Sequence, residues 1–150
     1  MDVDTEKVQF EDDFEVMDKD PDGKKFDRVS RFVCQSDLYD MSLTLDVNVE
    51  IYPMDVSERF KMLLTKDVNL GTATDKNGNV WENTNTIMDD YEYVLHGKIF
   101  KIETSQKTAN IQNLYVSFGG LLMLLAGDPK PLESFKLDNN VYLLIRKTGT

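Results

Sequence analysis

The sequence predicts an all-β domain of about eight strands, closed into an antiparallel barrel rather than opened into a sandwich. Apolar and polar residues alternate with a period of two in runs that recur at short spacing, separated by turn residues. No stretch of a dozen residues carries the apolar stripe of an amphipathic helix. Glycines within strand patterns, at Gly97 and at the pair Gly119 and Gly120, favour the barrel because they mark tight corners of a sheet.

The first two strands have the weakest patterns and are predicted at residues 8–17 and 26–34. Residues 18–23, D-K-D-P-D-G, separate them and match the first half of an EF-hand calcium loop. The match fails at the twelfth position, where Val29 stands in place of the bidentate glutamate. The segment is therefore predicted to be a turn, with proline and glycine at the positions that turns prefer.

The third strand has the clearest pattern. Residues 41–52 read M-S-L-T-L-D-V-N-V-E-I-Y, and every second residue from Met41 to Ile51 is apolar. A helix would place Asp46 and Glu50 among the apolar residues. Pro53 then ends the predicted strand.

The same alternation predicts the remaining strands at residues 59–64, 91–103, 114–118, 121–125 and 141–145. In the run at 91–103 the apolar phase changes after Gly97, which predicts an inserted residue or a glycine bend. The run at 121–125 is apolar on both sides, so it is predicted to be enclosed or to lie beneath a partner. Short helical turns are predicted at residues 55–58 and 132–135.

One long loop, expected to be mobile, interrupts the strands at residues 67–90, where Asn, Thr and Asp dominate without a sustained period. Asn77 and Gly78 could form a local hairpin turn within it. Alternatively, the loop becomes ordered on a partner, with Trp81 as the anchor. A shorter polar loop is predicted at residues 104–110.

Length and composition predict a single domain over residues 1–150. The one cysteine, Cys34, and the one histidine, His96, exclude an internal disulfide and a Cys/His zinc site. We expect a reducing compartment, no secretory signal and no membrane span, since the apolar run at 121–126 is far shorter than the roughly 20 residues that a span needs.

The acidic residues are concentrated at one end. Residues 1–22 hold ten of them against two lysines, so most of the net charge of −10 lies there and the remainder of the chain is nearly neutral. We interpret this end as a solvated, partly frayed segment, or as a docking segment for a basic partner. Independent binding to duplex DNA is disfavoured, because phosphate contacts require basic surface.

The sequence contains none of the common catalytic motifs, including the nucleophile elbow, the phosphate-binding loop, the dinucleotide fingerprint and the H-E-x-x-H zinc motif. His96 is interpreted as a structural histidine, because no nucleophile lies near it in the sequence. Cys34 is interpreted as a small packed side chain rather than a reactive thiolate. No catalytic residue, metal site or cofactor is predicted.

Two arginines, Arg28 and Arg31, occur in a predicted strand that also carries Phe26. They are expected to pair with Asp46 or Glu50 across the barrel. A second interpretation is an interface clamp, because arginine beside aromatic residues is typical of protein contact surfaces.

Several motifs, in order, resemble the small common subunit shared by eukaryotic nuclear RNA polymerases I, II and III. They are F-D-R-V-S-R at 26–31, L-D-V-N at 45–48, Y-P at 52–53, Y-E-Y-V-L at 91–95 with G-K at 97–98, Y-V-S-F-G-G-L-L-M at 115–123 with G-D at 127–128, and V-Y-L-L-I at 141–145. The resemblance extends from residue 10 to residue 147, and its departures fall in the two loops and the first nine residues.

This resemblance implies an eight-stranded barrel of OB-fold type and a non-catalytic subunit that supports assembly. It implies packing against the largest subunit, contacts with other polymerase subunits, and a location in the nucleus, including the nucleolus. The residues expected to bind a protein partner are Arg28, Arg31, Tyr115, Phe118, Gly119, Gly120, Leu121 and Leu122.

Two other functions stay open from the residues alone. A single-strand nucleic-acid surface would need aromatic and basic residues interleaved on one face. The candidates for it are Tyr91, Tyr93, Lys98, Phe100 and Lys101. The near-neutral body argues against direct contact with nucleic acid. An enzyme or ligand-binding barrel would need an apolar interior cavity.

Overall fold

The computed structural model describes residues 8–66, 72–74, 80–82, 87–105 and 110–149. The strands in this part of the chain are β1 Val8–Lys19, β2 Val29–Ser36, β3 Ser42–Asn48, β4 Arg59–Thr65, β5 Thr72–Thr74, β6 Val80–Glu82, β7 Tyr93–Thr104, β8 Gln112–Phe118, β9 Leu121–Gly127 and β10 Asn140–Gly149. Two 3₁₀ turns lie at Ile87–Asp90 and Lys130–Leu132. Among these residues no helix has the length and apolar character to cross a membrane.

Eight of the strands form a closed antiparallel barrel in the order β1-β2-β3-β9-β8-β7-β10-β4, with β4 paired back to β1. The predicted fold class is therefore confirmed. Strands β5 and β6 pair with each other outside the barrel, which confirms a local hairpin within the interval 67–90. Asn77 and Gly78, the side chain of Trp81 and residues 106–109 lie outside the described residues.

The inward faces of the strands fill the barrel with apolar side chains. Leu43 and Leu45 of β3 are fully buried, as their alternation predicts. Phe14 of β1 and Phe60 of β4 are register partners whose rings stack with centroids 5.8 Å apart. Burial raises the pKa of the Cys34 thiol to about 12, which confirms the interpretation of Cys34 as a packed side chain.

Most of the acidic end lies in the barrel. In β1 the carboxylates of Glu11, Asp13 and Glu15 alternate with the buried residues Phe10 and Phe14, so residues 8–19 form a strand. The strand predicted at residues 8–17 is therefore confirmed, and it extends to Lys19. Residues 1–7 lie outside the described part.

The connection from β1 to β2 is the predicted turn. Gly23 adopts a φ of +89°, and its N–H donates to the carbonyl of Asp20 over 2.9 Å. This backbone geometry is typical of a turn rather than an EF-hand, whose flanks are helices.

Strand β3 ends earlier than its alternation predicts. The side chain of Asn48 accepts hydrogen bonds from the N–H groups of Glu50 and Ile51, at 3.1 and 3.3 Å. These local bonds replace ladder bonds and turn the chain. Ile51, predicted to lie in the core, is consequently 70% exposed.

The predicted phase change in β7 is confirmed, but its position differs. Ile99 pairs with Val116 and Lys101 with Tyr115, so the inserted residue is Phe100 rather than one at Gly97. The bulge turns the Phe100 ring out of the barrel.

An aromatic and ionic cluster lies where the segment after β3 meets β7 and β10. The rings of Tyr52 and Tyr93 stack nearly parallel, with centroids 5.1 Å apart. The Tyr52 hydroxyl donates to Glu92 Oε1 at 2.6 Å, and the backbone N–H of Lys147 donates to the same oxygen at 2.9 Å. These two hydrogen bonds lower the pKa of Glu92.

We expect Glu92→Gln to lower the free energy of unfolding at pH 7 by about 0.5–1 kcal/mol, because a neutral amide is the weaker acceptor. A carboxyl with a lowered folded-state pKa stabilises the fold above its unfolded pKa of about 4.3 and loses that effect as the pH falls through the folded value. In urea titrations the difference between wild type and variant should therefore shrink as the pH falls below the unfolded pKa and vanish once Glu92 is protonated in the folded state. A difference independent of pH would contradict this prediction.

Candidate protein-interaction surface

The outer side of strands β7, β8 and β9 carries a group of apolar side chains without a place in the core. We call it the β7–β9 face and define it by Phe100, Lys101, Tyr115, Leu122 and Leu124. Register pairs join these residues across the sheet, Lys101 with Tyr115 and Tyr115 with Leu124. Leu122 is 42% exposed and Phe100 is 46% exposed. A contiguous apolar area on a barrel wall is typical of a protein contact surface.

Buried and more exposed side chains alternate along strand β9, although residues 121–125 are all apolar. Met123 and Leu125 are buried, whereas Leu122 is exposed and Leu124 is half-buried. Among the described residues, only the inner side of this strand is enclosed. The alternative prediction, that the strand lies beneath a partner, stays open for the outer side.

The aromatic part of the face has a defined geometry. The rings of Phe100 and Tyr115 lie 6.0 Å apart at an interplanar angle of 51°. The ammonium group of Lys101 lies 5.3 Å from the centroid of the Tyr115 ring and 2.7 Å from a carboxylate oxygen of Glu103. The lysine charge is thus already balanced by Glu103.

The turn between β8 and β9 confirms the prediction of a tight corner. Both of its central residues, Gly119 and Gly120, have positive φ values of 62° and 99°. This conformation is typical of a two-residue hairpin loop and excludes most side chains. Leu121 follows the turn and packs against the core from a half-buried position.

A buried carboxylate supports this corner from the neighbouring strands. Asp46 on β3 accepts hydrogen bonds from Arg31 Nε at 2.7 Å and Arg31 Nη2 at 3.1 Å. It also accepts the backbone N–H of Leu122 at 3.1 Å, so one side chain connects β2, β3 and β9. The hydrogen bond to Asp46 raises the pKa of the Arg31 guanidinium.

The expected pairing of the two arginines is confirmed. In addition to the Arg31 pair, Arg28 Nε lies 3.0 Å from Glu50 Oε2. The Arg28 side chain is 76% exposed and the Arg31 side chain 44% exposed, so both guanidinium groups are partly accessible. The interface clamp stays a prediction.

Three predicted site residues lie elsewhere. Phe118 is 5% exposed and belongs to the barrel core, because alternation in β8 directs it inward. Tyr93 is also buried, on the Tyr52 ring. Tyr91 packs on an outer cluster around the buried residues Leu63 and Leu144.

The residues predicted to bind a single strand are therefore split. Phe100 and Lys101 belong to the β7–β9 face, and Lys98 is exposed beside it as the register partner of Ser117. Tyr91 and Tyr93 do not join them. Proteins that bind single strands use several aromatic side chains on which successive bases stack. Of the described residues on this face, Phe100 and Tyr115 could serve in this way.

Sequence reasoning missed two features of this surface. Residues 121–125 are all apolar, so their pattern does not show that Leu124 lies on the outer side. The bond from Asp46 to the backbone of Leu122 joins residues 76 positions apart and has no sequence signal. In the described part of the chain no group of three His, Cys, Asp or Glu side chains could hold a metal ion.

Comparisons with known proteins agree on one family. A family model described as RNA polymerase Rpb8 matches residues 11–147. The rpabc3 subunit of DNA-directed RNA polymerases I, II and III from Dictyostelium discoideum is 49% identical over 140 residues, which cover 93% of this chain and 97% of the relative. Subunit 8B of DNA-directed RNA polymerases II, IV and V from Arabidopsis thaliana is 44% identical over 140 residues, with 93% and 96% covered. The RPABC3 subunit of polymerases I, II and III from Saccharomyces cerevisiae is 33% identical over 146 residues, with 92% and 97% covered.

Proposed function

This chain belongs to the RNA polymerase Rpb8 family and is a subunit of DNA-directed RNA polymerase, and we propose that its role is structural rather than catalytic. It supports the assembly of nuclear RNA polymerases I, II and III by packing against the largest subunit. Its location is the nucleus, including the nucleolus. Relatives named as subunits of all three enzymes support the shared role.

One observation carries the choice of contact surface. The β7–β9 face holds Leu122 and Phe100 partly exposed on a wall that β-sheet hydrogen bonds keep rigid. Aromatic and apolar residues at the centre, with arginines at the edge, form the usual composition of a protein interface. Arg31 lies at this edge, because its partner Asp46 bonds to the backbone of Leu122.

The interior of the barrel supports a structural role. Apolar side chains from the barrel strands fill it, including Phe14, Phe32 and Phe60, which are fully buried. A ligand-binding barrel would need an apolar interior cavity, whereas here the described core is packed with side chains.

Leu122→Glu tests the contact surface. We expect the amount of largest subunit that co-purifies with the tagged chain to fall about fivefold to tenfold, because a carboxylate at an apolar contact is costly to desolvate. Leu137→Glu makes the same change at a residue that is 55% exposed outside the face, and should leave co-purification intact. Undiminished co-purification of Leu122→Glu would reject this surface.

Single-stranded nucleic acid is a second candidate for the same face, favoured by Phe100 and Tyr115 beside Lys98 and Lys101. Fluorescence anisotropy of a labelled oligonucleotide at physiological salt distinguishes the two. The structural role predicts affinity weaker than roughly millimolar. Tighter binding that Phe100→Ala removes would favour the nucleic-acid function.

A further inference from the structure

A second surface lies on the other side of the barrel. We call it the β1 groove and define it by Phe10, Asp13, Leu38, Tyr39 and Lys61, which line it together with neighbouring residues. In the closed strand order, β1 is four strands away from β8 in both directions. The groove therefore faces away from the β7–β9 face.

One wall of the groove is held in place by a buried carboxylate. Asp12, which is 6% exposed, accepts the backbone N–H groups of Asp13 at 2.7 Å, Leu38 at 3.2 Å and Tyr39 at 3.0 Å. The N–H of Asp37 donates to the carbonyl of Asp13 at 3.0 Å. The connection between β2 and β3 is thereby fixed against β1.

This fixed wall presents apolar side chains to solvent. Leu38 is 71% exposed, and Tyr39, 42% exposed, rests on Phe10 with ring centroids 5.6 Å apart. Connections at a barrel end usually carry polar residues, because they face water. Two apolar side chains held rigidly at such a position form a preorganised contact site.

Asp13, one of the residues that line the groove, has a side-chain acceptor without a donor in the described part of the chain. Asp13 Oδ1 is shielded from solvent, and no hydrogen bond reaches it from the described residues. The nearby cations are engaged by other carboxylates: Lys61 Nζ lies 3.3 Å from Glu11, and Arg59 pairs with Glu15 and Asp37. A shielded carboxylate oxygen normally has a partner, since leaving it unpaired is costly.

We propose that the β1 groove binds a basic segment of a second polypeptide. An arginine or lysine of that segment donates to Asp13, and a neighbouring apolar side chain packs on Leu38 and Tyr39. The groove lining holds four carboxylates, Glu11, Asp12, Asp13 and Asp37, against the ammonium group of Lys61, and this excess of negative charge favours a cationic peptide and opposes nucleic acid. The subunit thus connects two polypeptides through opposite sides of one barrel. The inference rests on the proposed function in one respect: the partner is sought within RNA polymerase.

A photo-crosslinking residue at position 38 of the full-length tagged chain tests the proposal in purified RNA polymerase. We expect crosslinks to another polypeptide, within about four residues of an arginine or lysine. Asp13→Asn should lower the yield about tenfold, because it removes one partner of a shielded charge pair. Asp27→Asn, which removes a carboxylate on the exposed β1–β2 connection, should leave the yield unchanged.

A second variant tests the apolar part of the groove with Asp13 left in place. Because Leu38 is itself replaced in this variant, the crosslinking residue is moved to position 131, which also lines the groove. Leu38→Ser should then lower the crosslinking yield as well. Absent crosslinks, attachment to nucleic acid or to segments without basic residues, or yields insensitive to both variants would overturn the proposal. A crosslinker at position 122 reports separately on the β7–β9 face, so the groove can fail while the proposed function stands.

Discussion

Gly97→Ala is expected to lower the free energy of unfolding of this barrel by at least about 3 kcal/mol. Gly97 pairs with Val141 in β10 while its other side lies against the end of β8. An added Cβ would overlap the carbonyl oxygen of Ser117 and lie 2.6 Å from a ring carbon of Phe118. Both obstacles are held by the sheet and the packed core, so neither can move without breaking other contacts. Urea denaturation measures the loss.

A second glycine, the buried Gly127, provides the control. An added Cβ at Gly127 would also be too close to a neighbour, but that neighbour is the thioether of Met41. A methionine side chain can change rotamer, so Gly127→Ala should cost only about 1–2 kcal/mol. Equal losses of stability for Gly97→Ala and Gly127→Ala would show that the nearby carbonyl oxygen of Ser117 is not the cause of the loss at Gly97.

Asp46→Ala is expected to lower the free energy of unfolding by about 2–3 kcal/mol. The change leaves the backbone N–H of Leu122 without its acceptor and removes the partner of Arg31. The loss should be smaller than for a fully buried ion pair, because the Arg31 side chain is 44% exposed and can be rehydrated. Equilibrium unfolding in urea, with the largest-subunit pull-down in parallel, measures both consequences.

The exposed pair of Arg28 and Glu50, just beyond the ends of β2 and β3, is the matched control. Glu50→Ala removes the partner of Arg28, whose side chain is 76% exposed, and should cost at most about 1 kcal/mol. A double-mutant cycle of Asp46→Ala with Arg31→Ala separates the ion pair from the bond to Leu122. If Asp46→Ala and Glu50→Ala lower the free energy of unfolding by the same amount, the hydrogen bonds that join β2, β3 and β9 through Asp46 do not stabilise the barrel.

The candidate surface was only partly accessible to sequence reasoning. Leu122, Tyr115 and the two glycines belong to one motif of the family resemblance, and all four lie in the β8–β9 hairpin. Phe118 was assigned to the same surface, although its register in β8 directs it into the core. A period of two separates the residues of a strand into two faces, but does not by itself state which face is inside.

Loop positions were harder to predict than strand positions. The exposed Leu38 and Tyr39 of the β1 groove occur in a connection that has no periodic pattern. Their rigidity depends on Asp12, which is 26 and 27 residues away along the chain. Such bonds depend on how distant strands meet, which local patterns do not specify.

The residues alone identify this protein as a β-barrel subunit of RNA polymerase, because alternation is a local property and long motifs preserve their order. Which side chains share a surface depends on the tertiary structure. Barrel closure places β1 opposite β8, the pairing of β3 with β9 joins Asp46 to Leu122, and one inserted residue in β7 moves Phe100 outward. These relations arise from strand register and closure, which depend on contacts between residues far apart in the chain.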